Sequence, residues 1–350
     1  MIAIDLFGGA GGMALGATLA GIKVKIAIES DDYAALTYQH NHPETQVLAK
    51  NICEIKQKEI TTENVKQKMI LFGGPPCQGF STSNQKTRSE ANPLNWLFVE
   101  YMRIVKLVKP DWVVFENVKG ILETAKGIFF NMVLSELHSC GYTTSHWVLN
   151  AADYGVPQNR NRLFVVGSLD GKRVNRPDPT VSKHVTVKQA ISDLPDLENG
   201  ALICFVPHKH KPKTKYACLM CSGLGGSSNH LITKNSSKVI ERYKHIPQGG
   251  NWVNIPKKLM KNYTDTSRCH TGIYHRLKED SPSVVIGNFR KNMLIHPRQD
   301  RGLSVREAAR LQSFPDSYEF KGSIGFQQQQ VGNAVPPLLA KEVFESIIKL

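Results

Sequence analysis

Short apolar runs alternate with helical patterns through the first 170 residues, and this alternation constrains the fold more than any other feature. The runs suited to buried strands are Ile2–Leu6, Val24–Glu29, Met69–Phe72, Trp112–Asn117 and Leu163–Val166. The clearest helical stripe is closed by Pro110 and consists of Leu97, Tyr101, Ile104, Val105 and Val108. A second helical pattern contains Val133 and Leu137 and ends at Gly141. Strand–helix–strand repetition predicts an α/β fold with a parallel sheet, whose ligands bind beyond the carboxyl ends of the strands.

The amino-acid composition of the chain changes after about residue 198, where Gly, Ser, Asn, Pro, Lys and His dominate. Between Asp170 and Asp280 there are 19 Lys and Arg against 9 Asp and Glu, a net charge of +10 in under a third of the chain. This segment predicts a second, smaller, loop-rich and basic domain. Regular structure returns with a capping box, Ser304 to Glu307, that opens a helix through Leu311.

The composition of the chain favours a nucleic-acid-binding protein and argues against membrane and secreted proteins. The 350 residues carry a net charge of +14, which favours a polyanionic partner, nucleic acid first. No stretch approaches the roughly 18 apolar residues of a membrane span. The N-terminus has no basic segment and places Asp5 within its first apolar run, unlike a signal peptide. Seven cysteines without framework spacing fit a reducing compartment, so we expect a cytoplasmic protein.

A glycine-rich segment, Asp5–Gly16, follows the first strand and opens a helix. Gly9 and Gly11 satisfy the spacing of a dinucleotide fingerprint, and Glu29 ends the next strand where a ribose-binding acid belongs. A tight turn of any α/β protein would account for the glycines alone. With Glu29 the pattern favours a nucleotide-type ligand, either NAD or S-adenosylmethionine.

A cysteine follows the strand that ends at Phe72, within Gly73-Gly-Pro-Pro-Cys77-Gln-Gly-Phe-Ser81. An isolated cysteine is usually a small buried hydrophobe. Here two prolines stiffen the approach and glycines clear space, as a thiolate nucleophile at a strand end requires. The polar stretch after it carries Lys86 and Arg88, which either meet phosphates or belong to an ordinary solvated loop.

Two further strand ends carry charged side chains. Glu116 ends an apolar strand and is suited to proton donation, although a strand-end Glu equally serves as a helix-cap partner. Arg160 and Arg162 precede Leu163–Val166, and strand alternation would place both on one face. Such a pair suggests recognition of a carbonyl or anion, or a surface salt bridge.

In this order the motifs resemble those of the cytosine-C5 DNA methyltransferases, nearly from end to end. The similar segments are the glycine loop Asp5–Gly16, Pro75-Pro-Cys77-Gln, Glu116-Asn-Val, Gln158-x-Arg160-x-Arg162, Arg306–Pro315 and Val331-Gly-Asn333-Ala-Val-Pro-Pro337. The resemblance displaces NAD and implies a Rossmann-like S-adenosylmethionine-dependent sheet. It also implies a catalytic and cofactor-binding domain at 1–198, completed by 326–350. Residues 199–325 would form a target-recognition domain with a supporting helix at 304–313.

The resemblance implies a role for each catalytic residue. Cys77 would attack C6 of a cytosine, Glu116 would contact the N3/N4 edge, Arg162 would hold O2, and Arg160 would support Arg162. The methyl group would pass from S-adenosylmethionine to C5, leaving S-adenosylhomocysteine. Because stacking blocks attack from above the ring, the cytosine would have to flip out of the duplex.

The resemblance also implies the residues that contact the cofactor and DNA. The cofactor set is Phe7, Gly9, Gly11, Glu29, Asn51, Ile52, Pro75, Leu97 and Asn333. The DNA set is Ser83, Lys86 and Arg88 in the loop over the flipped base, with Lys209, Lys211 and Lys213 on phosphates. Gly8 replaces a frequent Cys, and Asn51 replaces the usual Asp, whose acceptor role an amide oxygen can still perform.

Several expectations complete this hypothesis. Cys218-Leu-Met-Cys221 is a single CxxC without a matching second pair, so we expect no metal. We expect a monomeric bacterial or phage-type enzyme that acts on double-stranded DNA in the cytoplasm or nucleoid, with no membrane partner. A cognate restriction endonuclease would act on the same site without stable association. The alternatives are a related tRNA methyltransferase and a DNA-binding protein built on an inactive methyltransferase scaffold.

Overall fold

The structure is a computed structural model that describes residues 1–60, 67–76, 97–261, 272–287, 289 and 293–350. The chain divides into two compact units. The first comprises Met1–Tyr154, Asn161–Thr180 and Pro337–Leu350, and the second comprises Gly155–Arg160 and Val181–Pro336. These units divide at other residues than the predicted domains, 1–198 with 326–350 and 199–325, whose functional division stays a prediction.

The first unit is built on a seven-stranded sheet in the order β3-β2-β1-β4-β5-β7-β6. Its strands are β1 (Ile2–Leu6), β2 (Lys23–Glu29), β3 (Gln46–Ala49), β4 (Met69–Gly73), β5 (Trp112–Val118), β6 (Thr143–Asn150) and β7 (Asn161–Ser168). Strands β1 to β5 are parallel, as predicted. Strand β7 is antiparallel to both of its neighbours, which the sequence pattern did not predict.

The described residues form eleven helices and a further two-stranded antiparallel sheet of β8 (Leu202–Pro207) and β9 (Gly226–Leu231). The first five helices are α1 (Gly12–Leu19), α2 (Asp32–Asn41), α3 (Gln57–Ile60), α4 (Leu97–Val108) and α5 (Ile128–Ser139). The others are α6 (Val187–Ile191), α7 (Lys215–Cys221), α8 (Ser237–Lys244), α9 (Val305–Leu311), α10 (Ile324–Asn333) and α11 (Pro337–Ile348). None of these helices combines the length and apolar character that crossing a membrane requires.

Apolar side chains of the sheet and of α4 form one continuous core in the first unit. The predicted stripe of α4 is buried at Tyr101, Ile104 and Val105. The Tyr101 ring packs edge-on against Phe115, with 5.5 Å between ring centroids, and its hydroxyl donates to the Val114 carbonyl at 3.1 Å. The polar end of this core residue is therefore satisfied, and the helix is fixed against β5.

The C-terminal helix α11 packs against α1 through the last glycine of the glycine-rich segment. A Cβ placed on Gly16 would lie 2.6 Å from Cβ of Ala340 and 2.7 Å from the Pro337 carbonyl oxygen. Only a residue without a side chain permits this approach. Gly16 thus serves helix packing in the first unit.

Helix α9 is the buried centre of the second unit. The predicted capping box is confirmed: Ser304 N donates to Glu307 at 2.8 Å, and Glu307 N donates to Ser304 Oγ at 3.1 Å. Arg306, Glu307 and Arg310 are all almost fully buried. Arg306 donates to the carbonyls of Ser228, Pro315 and Tyr318, and Glu307 pairs with Arg301 at 2.7 Å. A charged helix can be buried here because each of its charges has partners.

His296 gives the second unit a predicted sensitivity to acid. Its Nδ1 accepts hydrogen bonds from the backbone of Arg298 at 3.2 Å and Gln299 at 3.1 Å, which requires a neutral ring. Burial lowers the pKa of His296 from 6.5 to about 4, although nearby Glu307 raises it. As pH falls below 6.5 the unfolded chain takes up the proton first, so stability is lost progressively until pH reaches about 4.

We expect this one histidine to cost about 3 kcal/mol of unfolding free energy across that range. The measurement is urea unfolding at several pH values for the wild type and His296→Asn, whose side-chain oxygen keeps the acceptor without titrating. A shallower acid dependence is expected for the variant. His230, whose pKa burial also lowers to about 4, supplies a remaining slope. Identical slopes for the two proteins would contradict the prediction.

Candidate active site

The glycine-rich segment forms a tight loop between β1 and α1. Phe7, Gly9 and Gly11 all have positive φ, at 59°, 54° and 81°. Gly8 N donates to the Ile28 carbonyl at 3.0 Å, and Gly11 N donates to the Gly8 carbonyl at 2.9 Å. The first bond ties the loop to the end of β2, and the second closes the turn within the loop. The left-handed conformation explains the glycines at positions 9 and 11.

Two buried side chains support this loop from inside the first unit. Tyr38 on α2 donates its hydroxyl to Asp5 at 3.0 Å, and both residues are at most 1% exposed. Burial raises the pKa of Asp5 well above its ordinary value, whereas the Tyr38 hydrogen bond lowers it. A Cβ on Gly8 would lie 2.8 Å from the Tyr38 ring. Gly8 therefore leaves room for the Tyr38 ring, which any larger side chain at this position would have to displace.

Beside the loop lies a cavity of about 220 Å³ at the carboxyl edge of the sheet. Its lining is Phe7, Ile28, Glu29, Ser30, Lys50, Asn51, Ile52, Pro76 and Leu97. Five of these, Phe7, Glu29, Asn51, Ile52 and Leu97, belong to the predicted cofactor set. Ile28, Ser30, Lys50 and Pro76 were not predicted, and they adjoin predicted residues in the sequence or lie next to Pro75.

Glu29 organises the polar side of the cavity. One carboxylate oxygen accepts from Gly9 N at 2.7 Å, and the other accepts from Asp31 N at 2.7 Å. Burial raises the pKa of Glu29, and these backbone hydrogen bonds oppose the rise. The carboxylate is thereby held in place with lone pairs left over, as a hydroxyl-binding acid needs.

The apolar side of the cavity is formed by a turn and a helix terminus. Asn51 caps a 3-10 turn at Ile52–Glu54, with its Oδ1 accepting from Cys53 N at 3.1 Å. Ile52 is buried, and Leu97 begins α4. Phe7, Ile52 and Leu97 supply apolar surface of the kind that stacks against a purine ring.

Arg103 on α4 fixes this turn, although it belongs to none of the predicted motifs. Its guanidinium donates to the Ile52 carbonyl at 2.8 Å and to the Ile55 carbonyl at 3.2 Å. Its Nε donates to Glu100 at 2.7 Å. No pattern in the sequence signals this contact, because a charged residue on the outer side of a helix is ordinarily solvated.

A second set of residues lies where β5 ends. Arg162 Nε is 2.9 Å from Glu116, and both side chains are close to nine-tenths buried. The antiparallel register pairs Arg162 with Val118, so the first residues of β7 meet the carboxyl end of β5. Burial lowers the pKa of Arg162, and the nearby Glu116 charge opposes that effect.

Gly74, three residues before Cys77, makes room for the Glu116 carboxylate. A Cβ on Gly74 would lie 2.4 Å from a Glu116 carboxylate oxygen, and Asn117 Nδ2 donates to the Pro75 carbonyl at 3.3 Å. The segment leading to the cysteine is therefore fitted against Glu116 and Asn117. Cys77 itself lies outside the described residues, and the residue before it, Pro76, lines the cavity.

Arg160 lies in the second unit and precedes β7, so strand alternation does not relate it to Arg162. It is 1% exposed and donates to the carbonyls of Ile286 at 3.1 Å, Gly332 at 3.0 Å and Ala334 at 3.0 Å. These bonds anchor the segment that contains Asn333, the last residue of α10. A structural role for Arg160 is thus observed, and its support of Arg162 stays a prediction.

The structure describes some of the residues that were predicted to contact DNA. Ser83, Lys86 and Arg88 lie outside the described residues. Lys209, Lys211 and Lys213 are exposed between β8 and α7, and Lys209 pairs with Asp196. In the CxxC motif Cys218 is exposed and Cys221 is buried, and the absence of a metal stays a prediction.

Comparison with known proteins identifies the family. The family described as C-5 cytosine-specific DNA methylase matches residues 1–349. The chain is a cytosine-C5 DNA methyltransferase. It is 36% identical over 350 residues to the type II methyltransferase M1.HphI of Haemophilus parahaemolyticus, covering 99% of this chain and 86% of that protein. It is 33% identical to the type II methyltransferase M.DdeI of Desulfomicrobium norvegicum, covering 98% and 88%.

Solved structures share the fold. A crystal structure of a DNA modification methyltransferase from an E. coli prophage superposes with a TM-score of 0.81 at 26% identity, covering 100% of this chain and 99% of that one. A methyltransferase of Entamoeba histolytica gives a TM-score of 0.65 at 15% identity, covering 100% and 98%, and shows the fold alone. The Rossmann-like methyltransferase fold is therefore confirmed. The family implies S-adenosylmethionine as methyl donor and DNA as substrate.

The contacts of Arg103 lead to a prediction for this methyltransferase. Arg103→Met keeps the aliphatic stem and removes both hydrogen bonds to the turn, so the turn should be less well ordered. We expect the affinity for S-adenosylhomocysteine to fall about tenfold, a change of ~1.4 kcal/mol. Calorimetric titration measures it. Lys106→Met on the same helix, which removes a surface pair with Glu136, is the control, and equal affinities in both variants would contradict the role of Arg103.

Proposed function

We propose that this protein methylates C5 of a specific cytosine in duplex DNA through a covalent adduct between Cys77 and C6 of the base. The observation that supports it best is the arrangement at the carboxyl edge of the first unit's sheet. A cavity beside the glycine loop and the Glu116–Arg162 pair lie there, along the adjoining strands β2, β1, β4 and β5. The segment that ends in Cys77 begins at Gly74, against Glu116.

The lining of the cavity supports an adenosyl methyl donor as its ligand. Glu29 offers carboxylate oxygens for ribose hydroxyls, and Phe7, Ile52 and Leu97 offer apolar surface for the base. Gly9, Gly11 and Pro75 shape the adjoining loops, and Asn333 completes the proposed set. When bound, S-adenosylmethionine supplies an electrophilic methyl group that the activated C5 accepts.

The catalytic roles follow from the chemistry of the base. Thiolate addition to C6 builds negative charge on the ring, and a group that protonates N3 relieves it. Glu116 would contact N3 and the N4 amino group, and Arg162 would hold O2 while keeping Glu116 in place. Arg160 would support Arg162. Elimination would finally release Cys77 as the proton on C5 departs.

The target base would be flipped out of the helix, since stacked neighbours cover both faces of C6 in a duplex. Ser83, Lys86 and Arg88 would close over the flipped base and contact the backbone. Lys209, Lys211 and Lys213 would contact phosphates independently of sequence. Residues 199–325 would read the sequence, a division that remains a proposal.

The cellular setting is proposed from the relatives, which are named type II methyltransferases. We propose a monomeric bacterial enzyme of a restriction–modification system, acting in the cytoplasm with a separate endonuclease for the same site.

The proposed function is tested by supplying labelled S-adenosylmethionine with duplex DNA and with tRNA in parallel. Label should enter DNA, and bisulfite sequencing of host DNA should show C5 modification in one sequence context. Label in tRNA alone would contradict the DNA substrate. Binding of DNA without any transfer would favour the inactive scaffold.

A further inference from the structure

The position and the hydrogen bond of Asn51 together determine which of its side-chain atoms faces the cavity. It lines the cavity beside the glycine loop, and its side chain caps the turn at Ile52–Glu54. The cap is a hydrogen bond from Cys53 N, 3.1 Å long. A backbone N–H can only donate, so the atom that receives it must be the amide oxygen.

The other end of the Asn51 side chain must then be the NH₂ group. It has no hydrogen-bond partner within the described part of the chain, and Asn51 is exposed in the cavity wall. Where a carboxylate in this position would offer a second acceptor, asparagine offers a donor. The wall of the cavity therefore presents N–H groups to whatever base it holds.

We propose that Asn51 sets the base preference of the cofactor pocket by donating its Nδ2 hydrogen to an acceptor on the purine edge. The inference rests on the proposed binding of an adenosyl group in this cavity. Adenine has acceptors at its ring nitrogens and a donor at its exocyclic amine. A donor on the protein pairs with a ring nitrogen and gains nothing from the exocyclic amine. The pocket therefore discriminates only weakly between adenine and a 6-oxo purine.

The test compares the binding of S-adenosylhomocysteine and S-inosylhomocysteine by calorimetry, without turnover. The wild type should bind the two within about tenfold of each other. Asn51→Asp restores a second acceptor, which pairs with the adenine amine and repels the 6-oxo group. For that variant we expect a preference for the adenosyl compound of about 100-fold, or ~2.7 kcal/mol.

Asn51→Ser is the matched control, because serine keeps an N-cap oxygen for Cys53 N–H and lacks the amide. It should weaken both ligands about fivefold while leaving the melting temperature unchanged. The inference is overturned if the wild type rejects the inosyl compound as strongly as Asn51→Asp does, or if Asn51→Ser binds both ligands like the wild type. Those two outcomes leave the proposed function intact. Only failure of the wild type to bind S-adenosylhomocysteine would overturn the proposed function together with the inference, so the two failures are distinguishable.

Discussion

Glu116→Gln is expected to slow methyl transfer by about 100- to 1,000-fold, within the range that a general acid contributes. Glutamine keeps an oxygen for Arg162, 2.9 Å from Glu116 in the wild type, but cannot supply a proton to the ring. Single-turnover rates of labelled methyl incorporation measure the change. DNA affinity, measured by fluorescence anisotropy, should remain within about threefold of the wild type.

A matched glutamate separates this effect from a general loss of charge. Glu136 lies on α5 and pairs at the surface with Lys106, at 2.7 Å. Glu136→Gln should leave the transfer rate unchanged, because exposed pairs contribute little. Arg162→Met, which changes the partner of Glu116, should be more damaging than Glu116→Gln because it leaves the Glu116 carboxylate buried without its cation. A Glu116→Gln enzyme with wild-type turnover would remove Glu116 from the catalytic set.

Arg310→Met is expected to destabilise the second unit by about 3 to 5 kcal/mol, the cost of breaking a buried ionic cluster. Arg310 is fully buried and donates to Asp316 at 2.6 and 2.7 Å and to Asp193 at 2.9 and 3.2 Å. It also donates to the Ala190 carbonyl at 2.9 Å. Removing it leaves two carboxylates buried without their shared cation.

The destabilisation of the second unit is measured by urea unfolding together with hydrogen exchange of peptides from residues 181–261 and 293–336. Loss of exchange protection should begin in this unit. Lys244→Met, which removes an exposed pair with Glu241 on α8, should change the unfolding free energy by less than about 1 kcal/mol. Equal effects of the two substitutions would show that the cluster around Arg310 contributes no more than a surface pair.

Those parts of the fold that depend on local pattern were predictable. The stripe closed by Pro110 gave α4 from Leu97 to Val108, and the capping box gave the start of α9. Strands β3 and β6 were not predicted from the sequence. Gln46–Ala49 is only four residues long, and Thr143–Asn150 begins with a run of polar residues and shows no regular apolar alternation. Such strands are recruited by their neighbours in the sheet and carry no strong signal of their own.

The positions of the candidate site residues follow in part from motifs and in part from strand register, and their functional roles stay a prediction. Glu29 was named from the sequence pattern, and the family resemblance added Phe7, Asn51, Ile52 and Leu97; all five line one cavity. The Glu116–Arg162 contact follows from the antiparallel direction of β7, which no local pattern encodes. Arg160 was assigned to the same strand face as Arg162, yet it lies before the strand, among carbonyls of the second unit.

The central claim, a transient bond from Cys77 to the cytosine ring, is tested most directly with duplex DNA that carries 5-fluorocytosine at the target position. With S-adenosylmethionine present, methyl transfer leaves C5 carrying fluorine in place of the proton that normally departs, and since fluorine cannot leave as a cation, Cys77 is not eliminated and the adduct should persist. We expect a denaturation-resistant complex in which mass spectrometry finds the modified base on Cys77, and we expect none with Cys77→Ser. A modified cytosine in turnover assays without any trapped complex, or a Cys77→Ser enzyme that still transfers methyl groups at the wild-type rate, would contradict the account.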